Sequence, residues 1–287
     1  MIGAALVRRL AAGGHTVTGI SRSRRAGWIQ WDPARGALDP RALEGVDAIV
    51  HLAGRSLAAG RWTGGVRRQM WASRVDAGRR LAEAAARMDP PPRVYVTASA
   101  VGFYGDRGDE VLVESSGRGA GFLAELCEAW EQAAQPAAAA GARVVAVRSG
   151  VVVESLTGRL RLPFSLGLGA RLGAGGQWLA WILLDDIARL YAHALAADTL
   201  HGAVNGVAPE PVTNAEFTRA LAGAFGRPAF LAVPAWALHL GLGREMAAQT
   251  LLASQRAVPA RAQADGFTYV APKIEAAIRR ALGRGEG

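Results

Sequence analysis

The segment Thr97-Ala98-Ser99-Ala100-Val101-Gly102-Phe103-Tyr104-Gly105 holds the side chains best suited to chemistry. A serine hydroxyl polarises a carbonyl and a phenol donates or accepts a proton, so Ser99 and Tyr104 are candidate catalytic residues. Both also have plain structural uses: a serine in a turn bonds its own backbone, and a tyrosine at a loop edge packs as an amphipathic aromatic. Upstream, Ser21-Arg22-Ser23-Arg24-Arg25 closes a β-branched run, and a guanidinium there offers paired donors that match a phosphate. Arg148 ends another such run and is a candidate partner for a carboxylate or phosphate, as are Gln255 and Arg256 near the C-terminus. Asp185 and Asp186 make an acidic pair, but directly ahead of a helical pattern they read as an N-cap and a partner for the helix dipole. The five histidines fall at no metal-ligand spacing and Cys127 is the only cysteine, so neither a metal nor an internal disulfide is expected.

These side chains need a scaffold that brings them to one edge. Short β-branched runs alternate with alanine-rich helical stretches, the pattern of βαβ units and a mainly parallel sheet. Helices are expected over 2–12, 66–88, 122–140 and 185–197, with Pro136 ending or kinking the third. Strands are expected over 15–21, 47–52, 93–99, 142–149 and 178–184. Ser99 then falls at the carboxyl end of a strand, where open α/β sheets bind ligands. His51-Leu52-Ala53-Gly54 brings small residues to the same edge, and a backbone free of bulk there can approach an adenine ribose closely.

At the end of the second strand of a dinucleotide fold, an acid holds the ribose 2′-hydroxyl of NAD, whereas an arginine suits the extra phosphate of NADP. Arg22 in that place favours NADP(H) over NAD(H). Such a fold opens with a strand and a glycine-rich turn ahead of its first helix. Here the sequence starts inside that helix and Gly3 is the one candidate for the last glycine of the turn. The expectation is therefore an α/β, doubly wound parallel-sheet (Rossmann-like) domain lacking its first strand, as a start codon misplaced by roughly ten residues would cause.

After Gly150 the texture changes to a glycine-rich connection, and from Pro209 onward short helices are punctuated by proline. Residues 1–150, with a late strand and helix from 178–206, are expected to form the cofactor-binding unit. Residues 151–177 and 207–287 are expected to form a smaller C-terminal substrate region over the mouth of the sheet.

Composition limits the remaining classes. With 287 residues, 51% of them hydrophobic and 20% charged, the chain can bury a sizeable core. The net charge of +9 comes almost wholly from scattered arginines, since Lys273 is the only lysine, and no basic run interleaved with aromatics occurs. A solvated basic surface is expected and a nucleic-acid partner is not. No apolar run reaches the ~18 residues of a membrane span and no leader pattern is present, so a cytoplasmic protein without a membrane partner is expected.

Several short segments together resemble a known family. Ser21-Arg22, His51-Leu52-Ala53-Gly54, Arg61-Trp62, Ser73-Arg74, Ser99-Ala100-Val101-Gly102-Phe103-Tyr104-Gly105-Asp106, Trp130-Glu131, Val147-Arg148-Ser149-Gly150 and Asn205-Gly206-Val207-Ala208-Pro209 stand in the order found in extended short-chain dehydrogenase/reductases. More narrowly, the chain is similar to atypical NAD(P)-dependent epimerase family proteins that carry their own C-terminal domain, over residues 2–281. The resemblance implies an NADP-type dinucleotide fold with Ser21, Arg22, Leu52, Ala53 and Arg74 facing the cofactor. It implies an oxidoreductase or epimerase-like enzyme for a small hydroxyl or carbonyl compound, with hydride exchange beside Ser99 and Tyr104 moving the proton. One departure bears on activity: Phe122, Leu126 and Cys127 stand where the wider superfamily has a tyrosine and a lysine four residues on. A non-catalytic NADP(H)-binding sensor or interaction protein is the alternative.

Overall fold

The computed structural model describes residues 1–58 and 60–283. In chain order the first half holds α1 (Ile2–Ala12), β1 (Ile20–Ser21), β2 (Ile29–Gln30), β3 (Ala48–His51), α2 (Gly64–Trp71), α3 (Ala77–Ala86), β4 (Val94–Ala100) and β5 (Val111–Leu112). Next come α4 (Phe122–Gln132), α5 (Gln135–Ala139), β6 (Arg143–Ser149), β7 (Val151–Val152), α6 (Val153–Ser165), β8 (Ala170–Leu172), β9 (Trp178–Leu179), β10 (Trp181–Ile182) and α7 (Leu184–Ala196). The last part holds β11 (Gly202–Gly206), β12 (Val212–Thr213), α8 (Asn214–Ala224), β13 (Leu231–Val233), α9 (Ala235–Leu242), α10 (Arg244–Met246), β14 (Arg256–Ala257), α11 (Ala260–Ala264) and α12 (Ile274–Ala281).

The main sheet has the order β11-β6-β4-β3 and every pairing in it is parallel. β4 is nearly continuous in small and β-branched residues and almost wholly buried, as a parallel strand between two helical layers must be. On one side α1 and α7 pack Leu6, Ile187, Leu190 and Tyr191 against Val94, Val96, Val145 and Val147. On the other, Leu81, Ala85 and Ala137 from α3 and α5 pack against Tyr95. The result is an α/β fold with a parallel, Rossmann-like sheet. β1 and β2 pair with each other in parallel but not with β3, so β3 bounds the four-stranded piece among the described residues.

The C-terminal region has its own core around Phe164, Trp181, Phe217, Leu221, Ile274 and Ile278. Two buried carboxylates join it to the sheet. Asp186, in the first turn of α7 and fully buried, accepts from the backbone N–H of Val270 at 2.8 Å and of Ala271 at 3.1 Å. Glu114 Oε1 accepts from the N–H of Asn205 at 3.0 Å and of Arg261 at 3.2 Å.

Several expected elements differ. The helix foreseen over 66–88 is α2 and α3 joined by a π-helical turn at Ala72–Asp76. The helix over 122–140 breaks at residues 133–134, ahead of Pro136 in the first turn of α5. The run over 178–184 is not the late strand of the main sheet: it splits into β9 and β10, which pair outside it, and β11 fills that edge. Neither Asp185 nor Asp186 is the N-cap of α7, which is Leu183; both lie in its first turn, as a partner for the helix dipole does, and Asp185 also pairs with Arg9 at 3.0 Å.

Asp186→Asn leaves one acceptor where two N–H groups converge. It is expected to lower unfolding free energy by about 1–3 kcal/mol, read as a lower urea midpoint at unchanged m.

Candidate functional site

Ser99, itself buried, is the next-to-last residue of β4, and Arg148 lies beside it in register on β6. Beyond β4 the chain makes one 3₁₀ turn, Val101–Tyr104, which carries Tyr104 inward until no solvent reaches it. The loop that follows folds back over this turn only because of Gly119. A Cβ there would stand 2.0 Å from the Tyr104 carbonyl oxygen, closer than any side chain permits.

The helix α4 supplies the residue that joins these groups. Its buried stripe runs through Leu123, Cys127 and Trp130, and the same period turns Glu131 toward the sheet. Ser99 Oγ donates to Glu131 Oε1 at 2.7 Å. Arg148 grips the same carboxylate with two parallel bonds, Nε to Oε1 at 2.8 Å and Nη2 to Oε2 at 2.9 Å. Arg148 Nη1 donates to the Tyr104 hydroxyl at 3.1 Å and to the Glu114 carbonyl at 3.2 Å. Tyr104 donates in turn to Asn205 Oδ1 at 2.7 Å. Burial pushes the Tyr104 phenol up, opposed by the neighbouring Arg148. Burial works to lower the Arg148 pKa, but Glu131 outweighs it and the net direction is upward.

A second cluster lies at the ends of β3 and α2. Arg74, in the π-helical turn, is buried and donates to the carbonyls of Arg55 at 2.8 Å and Met70 at 3.5 Å. It has no carboxylate partner among the described residues and stacks over Trp130 at 5.0 Å. Gly54 permits this placement, since a Cβ there would fall 2.9 Å from the guanidinium carbon. Burial lowers the Arg74 pKa. His51, also buried, accepts from Trp130 Nε1 at 3.5 Å through Nδ1, while Nε2 has no partner. Burial and, secondarily, Arg74 pull its pKa down to about 4, so the ring is neutral. Leu52 and Ala53 continue this edge, and Gly3 at the start of α1 faces Leu52.

Ser21 and Arg22 sit at the end of β1. Arg22 is exposed and its side chain has no hydrogen bond or ion pair among the described residues; its carbonyl accepts from Gln30 Nε2 at 3.4 Å. Ser99, Tyr104 and Arg148 thus meet in one network, Gly3, Leu52, Ala53, Gly54 and Arg74 gather in another, and Ser21 and Arg22 stand apart. Gln255 is held by the Gly105 carbonyl at 3.1 Å and Arg256 stacks on Trp178 at 4.3 Å. Sequence reasoning gave no role to Glu131, Asn205, Glu114 or His51. For Glu131 a signal existed: an acid four residues beyond Cys127 lies on the buried stripe of its helix. Among the described residues, no cluster of three metal-ligating side chains occurs.

Geometry and sheet order together define a dinucleotide-fold protein with a polar network at the carboxyl edge of the sheet. Residues 1–120 match the NAD dependent epimerase/dehydratase family, and residues 233–281 match a domain of unknown function. "Epimerase family protein MT2273" of Mycobacterium tuberculosis is 43% identical over 274 residues, spanning 94% of this chain and 90% of that one. Human "Epimerase family protein SDR39U1" is 37% identical over 284 residues, spanning 97% and 95%. The crystal structure of human SDR39U1 (isoform 2) with NADPH superposes with a TM-score of 0.90 at 35% identity, over 99% of this chain and 96% of that chain. The chain belongs to the NAD-dependent epimerase/dehydratase family.

His51 gives this site a pH signature. The ordinary imidazole value is 6.5 and the folded value about 4, so the unfolded chain takes up the proton first as pH falls. The contribution is level above pH 6.5 and is lost progressively toward pH 4. From pH 7 to pH 5 this removes about 2 kcal/mol, a component that His51→Gln lacks. The stability difference between the two proteins, from urea midpoints, should shrink by that amount; a constant difference would refute the assignment.

Proposed function

We propose that the protein binds NADP(H) along the carboxyl edge of its sheet and acts as an oxidoreductase or epimerase-type enzyme on a small hydroxyl or carbonyl compound. The observation that carries this reading is Arg74, a buried cation with no acid beside it. Such a charge is costly without a counter-ion, and an anionic dinucleotide lying over Leu52, Ala53 and Gly54 supplies one. Arg22, exposed and unpaired beside Ser21, suits the additional phosphate of NADP(H). The start of α1 has no acidic residue in its first turn and carries Gly3, which suits a pyrophosphate. The NADPH held by human SDR39U1 in its crystal structure supports the same choice of cofactor.

When bound, NADP(H) accepts or supplies a hydride. The chain's own residues handle the proton. A hydroxyl has one proton to give and two lone pairs to receive with. With its proton committed to Glu131, Ser99 Oγ receives a hydrogen bond from a substrate hydroxyl, and Glu131 is the acceptor to which that proton is relayed. In the opposite direction a protonated Glu131 turns the Ser99 proton toward a carbonyl. Arg148 positions Glu131, and Tyr104 with Asn205 positions Arg148. In this reading Tyr104 holds the network, and the proton-transfer role expected of it passes to Glu131. The C-terminal region, residues 151–177 and 207–287, forms the substrate side.

A second reading is a non-catalytic NADP(H) sensor or interaction protein. It is favoured by Phe122, Leu126 and Cys127, the last two buried, in the places of a tyrosine–lysine pair.

Fluorescence titration is expected to give binding at least ~10-fold tighter for NADPH than for NADH. Arg22→Ala should cost about 1.5–3 kcal/mol with NADPH and leave NADH unchanged. Equal affinity for the two cofactors would sink the assignment. Across a panel of sugars, hydroxy acids and aldehydes, Glu131→Gln should lower turnover by about 10²–10⁴ without loss of NADPH affinity. Tight binding with no turnover on the whole panel selects the sensor instead.

A further inference from the structure

The C-terminal region exposes a group of large apolar side chains far from Ser99 in sequence. Phe230 is 82% exposed, Leu240 70% and Trp236 68%, and Leu162, Leu166 and Leu168 are also exposed. The fold sets these segments side by side. β13 pairs in parallel with β8, Leu231 against Ala170, which puts Phe230 across from the end of the turn that bears Leu166 and Leu168. Arg227 Nε donates to the Ser165 carbonyl at 3.1 Å and ties the two segments just beyond that pairing. α9 follows β13 directly, and Trp236 and Leu240, four residues apart, share one face of it. Its eight residues are Ala-Trp-Ala-Leu-His-Leu-Gly-Leu, and none of them is buried. A solvated helix of that composition has an unpartnered face.

The segments that carry this face bear charge of a single sign, and Glu245 just beyond them is paired with Arg67. Residues 155–178 and 217–244 contain arginines and no aspartate or glutamate. Arg159, Arg161, Arg171 and Arg227 are exposed and have no ion-pair partner among the described residues. A symmetric pairing of two copies through this face would bring together two surfaces of the same positive charge, which is repulsive. A nucleic acid would match the charge and its bases would stack on Phe230 and Trp236, but the aliphatic Leu162, Leu166, Leu168 and Leu240 beside them have no ring to stack and would stay in water. An interface that is anionic at its surface and apolar a few ångströms below it matches both features. We propose that this face docks on an anionic lipid bilayer, with Phe230, Trp236 and Leu240 entering the headgroup boundary and Arg159, Arg161, Arg171 and Arg227 meeting lipid phosphates. Arginine suits that place because its stem lies along apolar surface while its head stays at the phosphates. No helix among the described residues is long and apolar enough to cross a membrane, so the contact is with the surface. This inference is independent of the activity proposed above.

The test uses the full chain with vesicles of phosphatidylcholine alone or of phosphatidylcholine and phosphatidylglycerol in equal parts. A Leu168→Cys variant carrying an environment-sensitive dye reports insertion, because Cys127 is buried and escapes labelling. Sedimentation with phosphatidylglycerol vesicles and a blue shift of the dye are expected, both absent with phosphatidylcholine and both lost near 1 M salt, where the Debye length is about 3 Å. Phe230→Glu with Trp236→Glu should weaken partitioning at least ~10-fold, as should Arg159→Gln with Arg161→Gln, all with unchanged circular-dichroism melts. Absence of vesicle binding by the wild-type chain, binding indifferent to phosphatidylglycerol, or binding untouched by these variants overturns the proposal. So does a dimer in sedimentation velocity that Phe230→Glu abolishes, which assigns the face to a second copy. Polyglutamate capture without vesicle binding likewise overturns it, in favour of an acidic protein.

Discussion

The forked ion pair between Arg148 and Glu131 is the constraint around which the carboxyl edge of the sheet is arranged. It fixes the distance between β6 and α4, and through Ser99 it fixes the end of β4 against the same helix. Its outer atoms reach Tyr104 and, through Tyr104, Asn205 on the edge strand β11. With side chains only 6% and 16% exposed, neither charge is tolerable alone, and loss of one partner from such a pair costs about 3–5 kcal/mol. The loop over 105–121 follows from it as well, since the Glu114 carbonyl closes on Arg148 while its carboxylate receives Arg261 from the C-terminal region.

The two polar clusters differ in how their charge is balanced. Around Ser99 every cation has its carboxylate, and the geometry is complete without a ligand. Around Gly54 and Arg22 the guanidiniums face backbone carbonyls or solvent, with no carboxylate among the described residues. Trp130 and Glu131, adjacent on α4, touch one cluster each, so this helix is shared by the side proposed to take an anion and the side proposed to handle the proton.

The parallel sheet, its strand ends and the small-residue edge at Leu52-Ala53-Gly54 were legible in the sequence because period-2 and period-3.6 patterns respond directly to burial. Ser99 and Arg148 were legible as strand-end residues on the same ground. The inward turn of Tyr104 was not, because it depends on the close approach of Gly119 from fifteen residues away. Asp106 and Asp109, in the loop beyond the 3₁₀ turn, accept from the Ser254 N–H at 3.1 Å and from Trp178 Nε1 at 2.8 Å, partners too remote for local pattern to reveal. β11 was missed because Gly-Ala-Val-Asn-Gly is short and weak as a strand, and its place at the sheet edge comes from pairing with β6. The apolar face of the C-terminal region was equally hidden, since its parts lie some sixty residues apart and only β8–β13 pairing unites them.

The widened turn at Ala72–Asp76 has a mechanical consequence. Such a turn holds one residue more than an α-helical turn, and each residue of a helix advances it by roughly 100°. The extra residue therefore sets the rotational phase between α2 and everything after it: Ser73 and Arg74 point at the loop following β3 while α3 still presents Leu81 and Ala85 to the sheet. Shortening this segment by a single residue would leave both helices intact as helices but force a choice between them. Either the apolar stripe of α3 keeps its seat and the guanidinium swings off the edge, or the reverse.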